Sequence, residues 1–209
     1  MPLTFPSHAA AALALKLWRP AWFDGVALVA GTVAPDVVYL AAARFSADTH
    51  SLPGLLWWCL PVAWAYTWLF RRTVAGVAAN LPAGGRFGWS GYARLAGVRH
   101  PPLVTAGSAL LGAVTHVGWD WLTHTDGWLR TLSGVDFHAA TGVHWWTVSD
   151  LSSTALGGLA AVALAVPVGR WLAADGRARP DAPRRPALFW TVAAAVAVAG
   201  AALVAVLPG

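Results

Sequence analysis

The chain has 209 residues, of which 57% are hydrophobic and only 11% charged, and its nine acidic residues are all Asp. A soluble domain carries roughly 25% charged residues. With a mean hydropathy of +0.57, these figures exclude a soluble enzyme, a disordered tail, a coiled coil and a disulfide scaffold. The pI near 10.3 would suit a nucleic-acid binder, but the distribution of charge argues against one. Thirteen Arg and one Lys fall in short clusters between apolar runs, the pattern of an integral membrane protein whose arginines mark cytoplasmic loops. The expected partner is therefore the bilayer and not nucleic acid. The single Cys59 sits in an apolar run and cannot form an internal bridge.

The first apolar stretch, 7–18 (SHAAAALALKLW), rises only about 18 Å as a helix. It is too short to cross alone and reads as a half-span, with Ser7 as its N-cap. No basic n-region precedes it, so a cleaved signal peptide is not expected. Four further runs, near 26–43, 53–70, 103–122 and 151–173, approach the roughly 20 apolar residues that a bilayer requires. The run 187–207 has no charge and is the cleanest. Arg71, Arg72, Arg86, Arg94 and Arg99 fall in 71–102, and Arg170, Arg177, Arg179, Arg184 and Arg185 in 170–186. The loop 44–52 holds only Arg44 and the loop 123–150 only Arg130. The positive-inside rule puts the two Arg-rich loops in the cytoplasm. The fold expected is an all-α integral membrane bundle of five transmembrane helices plus the N-terminal half-span, in the cell membrane, with the C-terminus outside. It reads as a single membrane domain over 1–209, with a motif core at 7–125, a cytoplasmic linker at 174–186 and the last span at 187–207. The stretch 74–100 reads as a loop with an interfacial helix.

Ionisable residues inside spans are costly and mark function by default. Asp36 follows Pro35, which removes one backbone hydrogen bond and loosens the Gly31 carbonyl. His116 and Asp120, at i and i+4 in GAVTHVGWDWLTH, share one helical face, and His124 continues it if the helix persists. His8 opens the half-span, and His50 hangs from the outer rim in ADTHSLPG. At about 1.5 Å per residue all five fall in the outer half of the membrane. Three His and two Asp at one depth form an N/O metal site suited to Zn²⁺ and also to Mn²⁺ or Fe²⁺. The metal ligands expected are His8, Asp36, His50, His116 and Asp120, with Asp36 or Asp120 alternatively a catalytic base. Neutral imidazoles are required, so binding should weaken below about pH 6. His124, His138 and His144 read as interfacial or loop residues, and His100 as lying outside the site.

The order His8, Pro35-Asp36, Thr49-His50-Ser51-Leu52 and Thr115-His116 followed by Asp120 resembles the YdjM-like family of membrane-bound metal-dependent hydrolases. SHAAAALAL, GTVAPDVVY, THSLPGLLWWCLP and GAVTHVGWDWLTH look more closely like the actinobacterial membrane proteins grouped as domain of unknown function 4184. The resemblance covers roughly 7–125, with weaker similarity to about 158. It implies metal-dependent hydrolysis of a phosphoester or lipid-like substrate. One departure is visible: the hydrolase motif usually reads PDxDH, whereas Val37-Val38-Tyr39 follow Asp36 here.

Two other readings compete. The chain has 14 Trp, and Trp faces stabilise cations, which suits a small membrane terpene cyclase with Asp36 or Asp120 as proton donor. Trp57, Trp58, Trp128, Trp145 and Trp146 fit an interfacial aromatic belt instead. A non-enzymatic membrane protein with a structural His/Asp cluster is the third reading.

Overall fold

A computed structural model describes residues 5–41, 48–82, 87–174 and 182–206. Arg44, Arg86, Arg177 and Arg179, which enter the topology argument, lie outside the described residues. Those described are mostly helical, with no strand among them. The helices are α1 (Phe5–Trp18), α2 (Gly25–Val33), the one-turn α3 (Leu52–Gly54), α4 (Leu60–Asn80), α5 (Pro102–Thr123), α6 (Gly127–Ser133), α7 (Phe137–Thr141), α8 (Trp145–Ala174) and α9 (Pro186–Val206). Two compact units emerge, one from 1–70 with 99–168, the other from 71–98 with 169–209.

The first unit is built on α2 and α5. A Cβ on Gly31 would collide with the Ala109 carbonyl oxygen, and one on Gly112 with the Leu28 carbonyl. The two backbones therefore touch, and only glycine fits at these two positions. The crossing is pinned at one end by Asp24, which is 1% exposed. Asp24 caps α2 by accepting from Ala27 N–H. Its other carboxylate oxygen accepts from Thr105 Oγ1 at 2.8 Å, and its own N–H donates to Ser108 Oγ. Ala27, Ala30, Ala34, Ala63, Ala109 and Ala113 line the core beside Leu55 and Cys59. Small side chains let these helices approach as membrane helices do. Between α1 and α2, Lys16 Nζ donates to the carbonyls of Pro20 and Phe23, both at 2.6 Å, and closes the turn.

Two of the expected spans are broken. The run 26–43 is α-helical only to Val33 and continues as a 3₁₀ helix over Ala34–Ala41. Pro35 is the cause, since it offers no N–H to the Gly31 carbonyl; that carbonyl accepts from Ala34 N–H instead. The run 53–70 contains a π turn at Leu55–Cys59, where Leu60 N–H reaches back to the Leu55 carbonyl. Pro61 lacks the donor that the Trp57 carbonyl would use, and a π turn is one way to absorb that loss. α4 then runs on to Asn80 through Arg71 and Arg72, into the stretch expected as a loop. Nothing in RRTVAGVA breaks a helix, and Asn80 Nδ2 closes the end on Gly76 O.

Ser7 is not the N-cap expected, because α1 already begins at Phe5. Its Cβ packs against Gly157 of α8, where a side chain would not fit. The loop 123–150 carries α6 and α7, and α8 starts six residues earlier than the run at 151 suggested. His144 of this loop pairs with Asp126 at 2.8 Å and holds the Asp126 carboxyl below the usual carboxylate range.

In the second unit, Gly88 adopts φ +66° and lets the chain lie against the backbone of Gly169 and Arg170. A 3₁₀ helix, Trp89–Ala96, follows, and Arg94 donates to Leu172 O at 2.6 Å. Side chains of α9 are exposed through residue 202 except at Phe189 and Ala193.

α8 is the one described helix long and apolar enough to cross a membrane. Only 11% of its most apolar stretch is buried, unlike the mostly buried core helix of a soluble protein. Leu151, Leu156 and Leu159 are each more than two-thirds exposed. The shorter apolar helices are Gly25–Tyr39 and Pro186–Ala202.

Replacing Gly112 by Ala should cost about 1–3 kcal/mol, the range for overpacking a tight core. Gly107→Ala on the same helix meets nothing within 4 Å, and should leave stability unchanged or raise it by up to about 1 kcal/mol. Thermal unfolding in detergent separates the two. Equal behaviour would mean that the α2–α5 contact is not load-limiting.

Candidate metal centre

The broken end of α2 leaves carbonyl groups without their α-helical partners, and the site is built on them. In an uninterrupted α-helix Thr32 O would accept from the N–H of residue 36. The 3₁₀ winding shifts each partner by one residue. Thr32 O accepts instead from His116 Nδ1 of α5 at 2.8 Å. Ala34 O accepts from the Trp58 indole at 3.1 Å, and Pro35 O from Thr49 Oγ1 at 2.9 Å. The motif Thr49-His50-Ser51-Leu52 then divides its work. Thr49 ties the loop to the broken helix, and Ser51 caps α3 by accepting from Gly54 N–H. His50 is left facing inward, with Nδ1 3.2 Å from Thr49 Oγ1.

These bonds fix which ring nitrogens are bare. A carbonyl only accepts, so His116 carries its proton on Nδ1 and presents a lone pair at Nε2. The Thr49 hydroxyl spends its proton on Pro35 O and accepts from His50 Nδ1–H, so His50 also presents Nε2. The two bare nitrogens face each other at 3.3 Å.

Two carboxylates complete the group. Asp36 Oδ1 lies 3.5 Å from both His50 Nε2 and His116 Nε2. Asp120 Oδ2 lies 3.4 Å from His50 Nε2 and 3.0 Å from His116 Nε2. All four donor atoms fall within 4.8 Å of one another. Donor atoms bound tetrahedrally at about 2.0–2.1 Å from Zn²⁺ are about 3.3–3.4 Å apart. The observed separations are edge lengths of such a tetrahedron, and two opposed lone pairs beside two carboxylates call for a cation between them. The residues present therefore fit a divalent ion.

His8 reaches the cluster from α1. Its ring stacks on His116 with centroids 3.9 Å apart, and its Nε2 is 3.4 Å from Asp120 Oδ1. The structure thus gathers His8, Asp36, His50, His116 and Asp120 in one place, with four of them sharing one ligand-sized space. His124, read as interfacial from sequence, is also there: it caps α5 and turns its Nδ1 to Asp120 Oδ1 at 3.3 Å. Asp150 is not among the residues expected from sequence, because the apolar run begins one residue after it. Its Oδ1 lies 3.4 Å from His124 Nε2. The seam between α5 and α8 that brings Asp150 in is held by Ser149 Oγ donating to Thr123 O. Trp119 Nε1–H donates to Ser153 Oγ at 2.7 Å, and Ser153 to Ser7. His138 and His144 stack on each other in the α6–α8 loop region, and His100 precedes the far end of α5.

Thr49→Val removes both the tie to Pro35 and the acceptor that orients His50. Loss of such an orienting partner typically costs 10–100-fold in metal affinity. Zn²⁺ titration of the purified variant against wild type measures it, and an unchanged affinity would show that Thr49 does not set the His50 tautomer.

No curated protein and no solved structure matches this chain. One family does match, described as Domain of unknown function (DUF4184), and it aligns with residues 1–207. That span takes in every residue of the cluster from His8 to Asp150, and the chain belongs to the DUF4184 family.

Proposed function

We propose that the protein is an integral-membrane metal-dependent hydrolase, related in chemistry to the YdjM-like group, acting on a phosphoester or lipid-like substrate in the outer half of the bilayer. The observation that carries this reading is the convergence of Asp36 Oδ1, His50 Nε2, His116 Nε2 and Asp120 Oδ2 at ligand-edge distances. Zn²⁺ is favoured over Mg²⁺, because imidazole is a poor ligand for Mg²⁺. A bound ion of this kind polarises an ester or phosphoryl oxygen and makes water acidic enough to deprotonate near neutral pH.

The residues themselves orient and open the site. Thr32 and Thr49 hold the two imidazoles. His116 is fully buried, whereas the His50 side chain is 27% and that of Asp120 18% exposed. A substrate therefore approaches from the His50–Asp120 side. Asp36 or Asp120 is placed to accept a proton from a water molecule on that side. The cyclase reading is less well supported, because both acids are enclosed by imidazoles and neither stands alone among Trp faces. A purely structural cluster makes the opposite prediction about metal. Purified wild type should carry Zn²⁺ and hydrolyse an aryl phosphodiester in a chelator-sensitive way. His116→Ala should lose the metal and more than about 100-fold of the rate, since a bound metal supplies several kcal/mol of transition-state stabilisation and about 1.4 kcal/mol is tenfold in rate. A metal-free, fully stable wild type would leave the structural reading in its place.

The same proposal has the chain crossing the bilayer five times, with α1 as a half-span and the C-terminus outside. The arginine clusters and the exposed apolar side chains of α8 and α9 support it. Arg130→Cys and Arg184→Cys test the topology, since the native Cys59 is buried and silent to impermeant reagents. Labelling from outside should reach position 130 and not 184 in intact cells. Equal labelling would overturn the five-span topology.

A further inference from the structure

The 3₁₀ winding that follows Pro35 decides more than the fate of the freed carbonyls. With three residues per turn, side chains at i and i+3 eclipse and stand about 6 Å apart along the axis. Asp36 and Tyr39 are such a pair within Ala34–Ala41. An α-helix would turn residue 39 roughly 60° away from residue 36. The 3₁₀ winding instead carries Tyr39 along the face on which Asp36 meets the two ligand histidines. Tyr39 also closes the Val37-Val38-Tyr39 run in which the chain departs from the hydrolase motif.

Its contacts agree with that placement. The Tyr39 ring centroid lies 6.2 Å from that of His50, with the planes 32° apart. The Asp36 and Asp120 carboxylates both act electrostatically on the Tyr39 hydroxyl. Tyr39 is 44% exposed, whereas Val38 beside it is 3% exposed. One residue thus packs into the core and the next reaches solvent next to His50, on the side where His50 and Asp120 are open.

We propose that Tyr39 is a substrate-binding residue whose hydroxyl donates a hydrogen bond to the ester oxygen on which negative charge develops. The proposal rests on the hydrolase reading of the four-ligand site and names the group that grips the substrate there. The inventory of donors argues for it. Ionised Asp36 and Asp120 only accept. His116 and His50 spend their N–H groups on Thr32 O and Thr49 Oγ1. Thr49 spends its hydroxyl proton on Pro35 O. An oxygen gaining charge is best stabilised by a donor already aimed at it, and none of these residues has a proton to give. The Tyr39 phenol supplies one from the open side.

The test compares the purified full chain, loaded with Zn²⁺ and freed of excess, with Tyr39→Phe, which keeps the ring and removes only the hydroxyl. The variant should hold as much zinc as wild type. On an aryl phosphodiester its kcat should fall about 10²–10³-fold, the range for losing one donor to a developing oxyanion, with a much smaller change in KM. Inorganic phosphate carries its charge from the start, so its Kd, measured by titration calorimetry, should rise about tenfold, as for a lost hydrogen bond to a charged group. A further readout needs only wild type to be folded. The chain has three Tyr, and with ¹³Cζ-tyrosine labelling phosphate should shift one resonance, the one absent from Tyr39→Phe. An unshifted Tyr39 resonance, or a variant with wild-type kcat and phosphate affinity, overturns the role of Tyr39 and leaves the four-ligand site standing. Loss of zinc from Tyr39→Phe also overturns it, since the hydroxyl would then serve the metal and not the substrate. A zinc-free wild type overturns both readings.

Discussion

The backbone contact between α2 and α5 is the constraint on which the rest of the first unit depends. Gly31 and Gly112 remove the side chains that would separate the two helices. Only at that closeness can a main-chain carbonyl of one helix reach an imidazole of the other, as Thr32 does with His116. The chain has no Glu, and Asp is the shorter acid. Short carboxylates converge only when their helices are drawn tightly together, so the alanine-lined core and the choice of Asp belong to one design. Asp24 shows the same economy at the far end of the crossing, where one carboxylate serves α2 and α5 at once.

A proline placed just after that crossing turns a liability into an anchor. Carbonyls freed from the helix would each cost a desolvation penalty if left bare in an apolar setting. Here Thr32, Ala34 and Pro35 each gain a partner from another segment: α5, the π turn and the 48–51 loop respectively. Breaking the helix thus fastens three separate pieces around Asp36. Irregular backbone is tolerated in an apolar setting where it is buried in protein, and here it also positions the polar cluster.

Much of this was legible in the sequence where one segment decides its own structure. The uninterrupted runs at 103–122 and 187–207 became α5 and α9 almost to the residue, and the i, i+4 spacing of His116 and Asp120 placed them on one face. Depth along each helix brought His8, Asp36 and His50 to compatible heights. What escaped was set by contacts between segments. Pro35 and Pro61 flagged disturbances, but whether they give a kink, a 3₁₀ stretch or a π turn depends on which carbonyls find new partners. The role of Thr32 is played by a backbone atom, which no residue pattern reveals. Arg71 and Arg72 read as loop markers by charge alone, although nothing around them stops a helix. Asp150 lies one residue outside an apolar run, which hides it as a polar group, although an acid in WWTVSDLSS is a signal of the same kind as Asp36.

The seating of Ser7 against Gly157 has a consequence for how the molecule is made. It draws the first helix onto one of the last elements of the first unit, across nearly 150 positions of chain. Contacts of such long sequence separation form late, because the closure of the intervening loop must come first. During synthesis His8, Asp36, His50 and His116 therefore emerge one after another without their final surroundings. Only when the residues around Ser149, Ser153 and Gly157 arrive can α1 settle and the polar groups neutralise one another. A chain halted before that point would leave His8, Asp36 and His116, buried in the finished fold, without their final surroundings.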